Sequence, residues 1–284
     1  MNSNHQRTLN YTIAIMLFCT FLLFISHVSA YGQKLPSVQV GNLRAPENIK
    51  IDGKSTEWGT KYQAYNHATD IFYTICNDDD NLYLVVHASD PDVLTKITNR
   101  GVVFSINASE LKEDKNSVSI TYPVFELKYG NKPFISFTNA GMLHSQRLAM
   151  EQNPDSVSKL ANKKLRENEK FIRTTGMPGI DTLLSIYNRN GIRAAEAFDS
   201  TMAYTYELAI PLKYINKNRA LKLTYHITLP GIDVDKDFAP KLTKNDNGTL
   251  TLSYAPGAVA VQGSHLPAVT STTDFWGEYT LAKN

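Results

Sequence analysis

The chain has 284 residues, of which 20% are charged, and a formal net charge of +2 at pH 7. A charge so close to balance provides no bulk attraction to nucleic acid or to anionic lipid, so neither is predicted as a partner. Two cysteines are present, and Cys19 falls in an N-terminal segment that is predicted to be removed. Since Cys76 then has no partner for an internal disulfide, a hydrophobic core must hold the fold.

Residues 1–30 have the layout of a secretory signal peptide. Arg7 precedes an apolar run from Ile13 to Ile25, and a small-residue site ends at Ala30, after which cleavage is predicted. The run is shorter than the roughly 20 residues that a membrane-spanning helix needs, so no transmembrane segment is predicted after cleavage. The mature chain is expected to be secreted or periplasmic, with a linker over 31–45 and a single domain over 46–284.

The first predicted elements are a short strand over Ile49–Ile51 and a β-hairpin. The hairpin strands run from Asp70 to Asn77 and from Leu82 to Ala88, because both are rich in β-branched and aromatic residues and are separated by an acidic turn. Cys76 alternates along the first of them and is predicted to be a buried, small apolar residue. Further strands are predicted at Gly101–Asn107, Val118–Tyr122, Val124–Tyr129 and Pro133–Thr138.

Between Asn139 and Ser200 the pattern changes, and this range is predicted to be a part-helical insertion. The segment from Asp155 to Phe171 is highly charged, with apolar residues near helical spacing, which predicts a surface helix with a narrow apolar stripe. Thr174 to Gly179 is predicted to stop this helix and form a loop. The insertion is expected to cap one end of the sheets or to shape a site.

Alternation returns in the last third of the chain. In Tyr204–Ile210 and Leu221–Leu229 one face is apolar, while the other carries polar residues such as Glu207 and His226. One face is therefore predicted to be buried and the other to meet solvent or a ligand. Two more strands, Leu250–Tyr254 and Phe275–Leu281, are predicted to close the sheet.

About ten strands at this spacing predict an all-β fold, an antiparallel β-sandwich of the immunoglobulin or jelly-roll type. Its opening resembles the start of family 9 carbohydrate-binding modules and their DOMON-related relatives. The resemblance lies in Ile-Asp-Gly at 51–53, Glu57-Trp58 and the strand that begins Leu82-Tyr83; Glu-Leu-Ala-Ile-Pro-Leu at 207–212 also occurs in these modules. It covers residues 45–138 and 204–283 and implies an exported bacterial sandwich that binds carbohydrate without catalysis, with Trp58 packed as a structural residue.

Trp276 is the predicted carbohydrate-binding residue, and a polysaccharide or oligosaccharide is the predicted partner. Sugars present apolar C–H faces ringed by hydroxyls, so their sites need flat aromatic rings beside planar polar groups. Trp276 alternates out of register with Phe275 and Tyr279, so it lies on the outer face if those two residues face the core. A ring covered by the insertion is the alternative at this position.

The sequence lacks the common catalytic signatures, including the nucleophile elbow, the Walker loop and the His-Glu-x-x-His motif, so no catalytic residue is predicted. An enzyme that uses two carboxylates stays an alternative. No cofactor or metal ligand is predicted. The acidic turns at 78–80 and 90–92 offer the oxygen ligands that calcium prefers, but aspartate is also a usual residue of turns and strand ends.

Two alternatives to sugar binding differ in kind. Some distant relatives of these modules hold haem between a Met and a His, or a Met and a Lys, on the sheet face, and here His226 and the methionines in or near the insertion are candidates. The other alternative is a structural sandwich without a sugar site, which docks other proteins through the charged helix.

Overall fold

The computed structural model describes residues 34–59, 61–108, 117–124, 153–168, 170–215, 221–233, 241–246, 248–253 and 266–283. The chain from Pro36 onward forms one compact unit. The predicted signal peptide, the predicted strand Pro133–Thr138 and all but the first residue of Val124–Tyr129 lie outside the described residues. Within the described residues, no helix is both long and apolar enough to cross a membrane.

The described residues form thirteen strands and four helices. The strands are β1 (Ala64–Asn66), β2 (Ile71–Asn77), β3 (Asn81–Ala88), β4 (Val102–Asn107), β5 (Val118–Val124), β6 (Phe171–Thr175), β7 (Leu183–Ser185), β8 (Arg193–Phe198), β9 (Tyr204–Pro211), β10 (Lys222–Leu229), β11 (Lys241–Lys244), β12 (Leu250–Ser253) and β13 (Thr273–Thr280). The helices are α1 (Pro91–Arg100), α2 (Pro154–Asn168), α3 (Leu212–Ile215) and α4 (Leu266–Thr270).

Two antiparallel sheets make up the fold. Sheet A has the strand order β1-β2-β3-β9-β8, and sheet B has the order β13-β10-β4-β5-β6-β7. A separate two-stranded ribbon joins β11 and β12. The predicted fold class, an antiparallel β-sandwich, is confirmed.

The core lies between the two sheets and is rich in tyrosine. Alternation along β9 and β10 sends Tyr206 and Tyr225 inward, where they are fully buried, as Tyr73 is from β2. The hydroxyls of Tyr73 and Tyr225 lie 2.8 Å apart, and the Gln39 backbone N–H donates to Tyr73 Oη at 3.0 Å. Because buried hydroxyls need partners, this chain of hydrogen bonds lets large rings fill the core.

Helix α1 was not predicted from the sequence. Asp90 caps it, because its Oδ1 accepts from the backbone N–H groups of Asp92 and Val93 at 2.9 and 3.0 Å, and Pro91 occupies the first turn. The acidic residues at 90–92 therefore begin a helix that joins sheet A to sheet B.

The predicted surface helix exists, but its predicted end at Phe171 is wrong. Helix α2 ends at Asn168, and Phe171 begins β6, so the predicted loop at Thr174–Gly179 also starts as a strand. β6 and β7 extend sheet B, and β8 is the edge of sheet A, so these parts of the 139–200 range belong to the sheets. β6, β7 and β8 have only three to six residues each. So few residues show too little polar–apolar alternation for a strand to be predicted from the sequence.

Three smaller predictions also differ from the structure. Ile49–Ile51 is not a strand, since both isoleucines pack on the outer face of sheet A, and the first strand is β1. Leu221 precedes β10 and is 51% exposed rather than buried. β12 pairs with β11 and does not close either sheet.

Candidate functional site

Trp276 lies on the outer face of sheet B. Its neighbours Phe275 and Tyr279 are 8% and 2% exposed in the core, and Trp276 points the opposite way and is half-buried. Alternation therefore places its ring where the sequence analysis expected it. In the part of the chain that the structure describes, β13 is the edge strand of the sheet.

The partner of Trp276 across the sheet is His226 of β10. The two residues are directly opposite in the antiparallel register, and their rings stack with centroids 4.0 Å apart and planes 6° apart. Asp274 is two residues along β13 on the same face, and its Oδ2 lies 2.7 Å from His226 Nε2. Thr228 Oγ1 lies 3.4 Å from the same nitrogen. His226 is thus fixed between an aromatic ring and two oxygen groups.

His226 covers one face of the Trp276 indole, and no other ring stacks on this indole among the residues that the structure describes. A flat aromatic surface with a carboxylate and an imidazole beside it combines stacking area with hydrogen-bonding groups of fixed direction. Such a surface can hold a ligand that has an apolar face and hydroxyls at its rim.

Trp58 lies elsewhere, on the outer face of sheet A, and its role is structural. It packs with Tyr83 at a centroid distance of 6.4 Å, beside Cys76 and Ala209. Its indole Nε1–H donates to Glu207 Oε1 at 2.5 Å. The predicted burial of Cys76 is confirmed: it is fully buried here, and burial raises the pKa of its thiol to about 12, so it is not a nucleophile.

Glu207 is the centre of this second cluster. Besides the Trp58 indole, its Oε2 accepts from the backbone N–H groups of Asp52 and Gly53 at 2.8 and 2.6 Å. Burial raises the pKa of Glu207, while these three donors act in the opposite direction. The carboxylate therefore clasps the segment before β1 onto the outer face of sheet A.

Gly53 is required at this contact. Its φ is 81°, and a Cβ atom on it would lie 2.4 Å from the backbone carbon of Glu196 in β8. Asp52, Gly53, Trp58 and Glu207 all belong to the motifs that carry the family resemblance, and they form one structural clasp. They do not contribute to the face that carries Trp276.

A cluster of rings on the outer face of sheet A was not predicted. Tyr62 stacks on His87 at 5.1 Å and 19°, and Tyr65 lies 4.5 Å from Phe72. Burial lowers the pKa of His87, so its ring is neutral at pH 7. These rings cover one another beside the clasped segment and serve as packing. The signal in the sequence was that β2 and β3 carry apolar or aromatic residues on both faces, which marks a sheet covered on both sides.

The acidic turn at 78–80 also has a structural role. Asp78 Oδ1 accepts from the backbone N–H groups of Asp80 and Asn81, and its Oδ2 accepts from the Tyr83 hydroxyl at 2.6 Å. No group of three or more metal-binding side chains occurs among the described residues.

Within the part of the chain that the structure describes, the ring and hydrogen-bond partners of His226 do not include a methionine. Its ring meets Trp276, Asp274 and Thr228, whereas Met177 and Met202 are buried in the core on the opposite side of the sheets. Met142 and Met150 lie outside the described residues. The described residues therefore provide no Met–His pair for haem iron.

Glu196 has a buried carboxyl group that is only partly hydrogen-bonded among the described residues. It lies on β8 opposite Tyr206 and points toward the core, where the Tyr204 hydroxyl donates to its Oε2. The residue as a whole is partly exposed, but Glu196 Oε1 and Tyr206 Oη are buried and have no hydrogen-bond partner among the described residues. Burial raises the pKa of Glu196 well above its ordinary value and so favours the protonated carboxyl.

Comparison of the chain with protein-family models, with curated proteins and with solved structures finds no match. The resemblance to family 9 carbohydrate-binding modules therefore stays a prediction.

Proposed function

We propose that this protein binds carbohydrate without catalysis, through the outer face of sheet B at Trp276. The observation that carries the proposal is the stacked Trp276–His226 pair at the sheet edge, with Asp274 bonded to the imidazole. A sugar ring placed on the indole face that His226 does not cover has its C–H groups against the aromatic surface.

The size of the contact sets the expected strength of binding. One aromatic contact contributes about 0.5–1.5 kcal/mol beyond its buried area, and each hydrogen bond adds about 1 kcal/mol. These gains must also offset the translational and rotational freedom that is lost on binding, so we expect weak binding, with a Kd of about 1 mM.

The proposal also places the protein outside the cytoplasm. We expect this location because residues 1–30 have the layout of a signal peptide and because the sequence resembles exported modules. Mass determination of the exported protein is the check, and a mature chain that begins at Tyr31 is the expected result.

A glycan array and affinity electrophoresis in polysaccharide gels test sugar binding. The wild type is expected to be retained by at least one saccharide, and Trp276→Ala is expected to lose that retention. Tyr187→Ala is the matched control, because this ring is 81% exposed and follows β7 at the opposite edge of sheet B. If the wild type retains no saccharide, or if Trp276→Ala binds as well as the wild type, sugar binding at this face is wrong.

A further inference from the structure

The outer face of sheet B carries an ordered row of polar side chains that starts at Trp276. The register pairs each residue directly with the next across five strands. The row consists of Trp276, His226, Ser105, Ser119 and Thr175. Neighbouring strands are about 4.8 Å apart, so the row is about 19 Å long, which is the length of a short oligosaccharide and not of one sugar ring.

A second row runs beside the first, two residues further along each strand. Its members are Asp274, Thr228, Val103, Thr121 and Arg173. Hydroxyl groups from four strands thus line one face between Trp276 at one edge and Arg173 on β6. The Ser105 hydroxyl donates to Ser119 Oγ at 3.2 Å, which fixes the positions of both side chains.

The side chains of the two rows are accessible to solvent, whereas the part of the same face around Thr224 and Asn107 is buried. All ten members of the rows are half-buried or exposed. Thr224 and Asn107 point to the same side of the sheet but are each only 4% exposed. A ligand therefore has room across the strands, along the rows, and not along β10 toward Thr224.

The charges on this face are unevenly matched. Lys222 pairs with Glu278 at 3.0 Å, and His226 pairs with Asp274 at 2.7 Å. Arg173 is exposed and forms no ion pair with any residue that the structure describes. A guanidinium binds a carboxylate through two parallel hydrogen bonds, so Arg173 is suited to a carboxylate of the ligand.

We infer that the ligand is a linear acidic polysaccharide laid across the strands, with one sugar stacked on Trp276 and a uronate carboxylate bound by Arg173. This inference rests on the proposed function and names the ligand class for the same face. The two rows determine the path of the polysaccharide, which runs from the sheet edge at β13 toward β6. The exposed guanidinium of Arg173 is the reason to expect an acidic polysaccharide.

Titration calorimetry with matched probes tests the inference. The probes are cello-oligosaccharides against glucuronan oligosaccharides, and manno-oligosaccharides against mannuronan oligosaccharides, each with two and with six residues. The six-residue uronate of one series is expected to bind about tenfold more tightly than its two-residue form, because the longer chain fills both ends of the rows. It is also expected to bind more tightly than its neutral counterpart.

Arg173→Gln tests the acidic end separately. This variant is expected to lower the affinity for the uronate about fivefold and to leave the neutral probe unchanged. Arg193→Gln is the control, because Arg193 is an exposed arginine on β8 in the other sheet. Both side chains are exposed, so the unfolding midpoints of both variants are expected to match that of the wild type.

The possible results separate the inference from the proposed function. If neutral and uronate probes bind equally, if two residues bind as tightly as six, or if Arg173→Gln has no effect, the inference is wrong. The inference is also wrong if the glycan array finds a ligand but no uronate binds. In that case the proposed sugar binding at Trp276 would still stand. If no saccharide binds at all, both are wrong.

Discussion

Two residues, the buried Glu207 and the half-buried His226, decide how the two outer faces differ. Glu207 meets three N–H donors and holds the segment before β1, so the outer face of sheet A is closed. His226 has its ring between Trp276 and Asp274, and the row of polar groups on the outer face of sheet B is half-buried or exposed. The same alternation of polar and apolar residues thus builds a structural clasp on one sheet and a candidate binding face on the other.

Glu196 should make stability depend on pH. Its ordinary pKa is 4.5, and burial raises the pKa of the folded state, so between these two values the folded protein binds more protons than the unfolded chain. The free energy of unfolding therefore falls as pH rises from about 4.5 toward the raised pKa of the folded state. Glu196→Gln mimics the protonated form and should lack this decrease, so its stability relative to the wild type should grow with pH.

Urea unfolding of both proteins at a series of pH values from 4 to 8 measures this difference. Other titrating groups, including Glu207 with its raised pKa, are common to both proteins and cancel in the comparison. Curves of equal slope for wild type and variant would show that Glu196 does not titrate differently in the folded and unfolded states.

At the scale of elements, helix α2 protects the edge of sheet A. Asn162 donates from Nδ2 to the Phe198 carbonyl and accepts at Oδ1 from the Phe198 N–H, both at 2.8 Å. The side-chain amide thus takes the place of a neighbouring strand at β8. Leu165 of the same helix is buried against the core. One face of α2 is therefore packed against its own sheet, while the charged face stays exposed.

Asn162→Ala should uncover this edge. Loss of both hydrogen bonds leaves the Phe198 N–H and carbonyl without their partner, which we expect to cost about 1–3 kcal/mol of unfolding free energy. An unpaired strand edge also promotes association, so light scattering on heating should rise earlier than in the wild type. Lys163→Ala is the control on the same helix, since that side chain is 68% exposed. Equal unfolding midpoints for the two variants would contradict the role of Asn162.

Long strands were predictable from the sequence, but α1 was not, for a physical reason. β9 and β10 alternate over eight residues each, which a period of two identifies. Helix α1 buries Thr95, Thr98 and Asn99, whose side chains donate to the carbonyls four residues earlier, so it has no purely apolar stripe. The cross-strand pairing of Trp276 with His226 could not be predicted from the sequence either, because the whole sheet determines the register between strands that are distant in the chain.

At the scale of the molecule, the candidate site depends on the core beneath it. Tyr225 and Gly277 are opposite each other on the inner side of sheet B, next to the His226–Trp276 pair on the outer side. A Cβ on Gly277 would lie 2.3 Å from the Tyr225 ring. The Tyr225 hydroxyl is in turn hydrogen-bonded to the Tyr73 hydroxyl of sheet A. The register that stacks His226 on Trp276 is therefore supported by a contact that reaches across the sandwich.

Gly277→Ala should disturb the site without touching any ligand. The added methyl must displace the Tyr225 ring or part β13 from β10, which we expect to cost about 1–3 kcal/mol of unfolding free energy. Separation of the strands also separates Trp276 from His226, so tryptophan emission should shift and saccharide affinity should fall. Gly41→Ala is the matched control, because nothing lies within 4 Å of a Cβ at that position. A Gly277→Ala protein with the stability and affinity of the Gly41→Ala control would show that the core contact does not support the binding face.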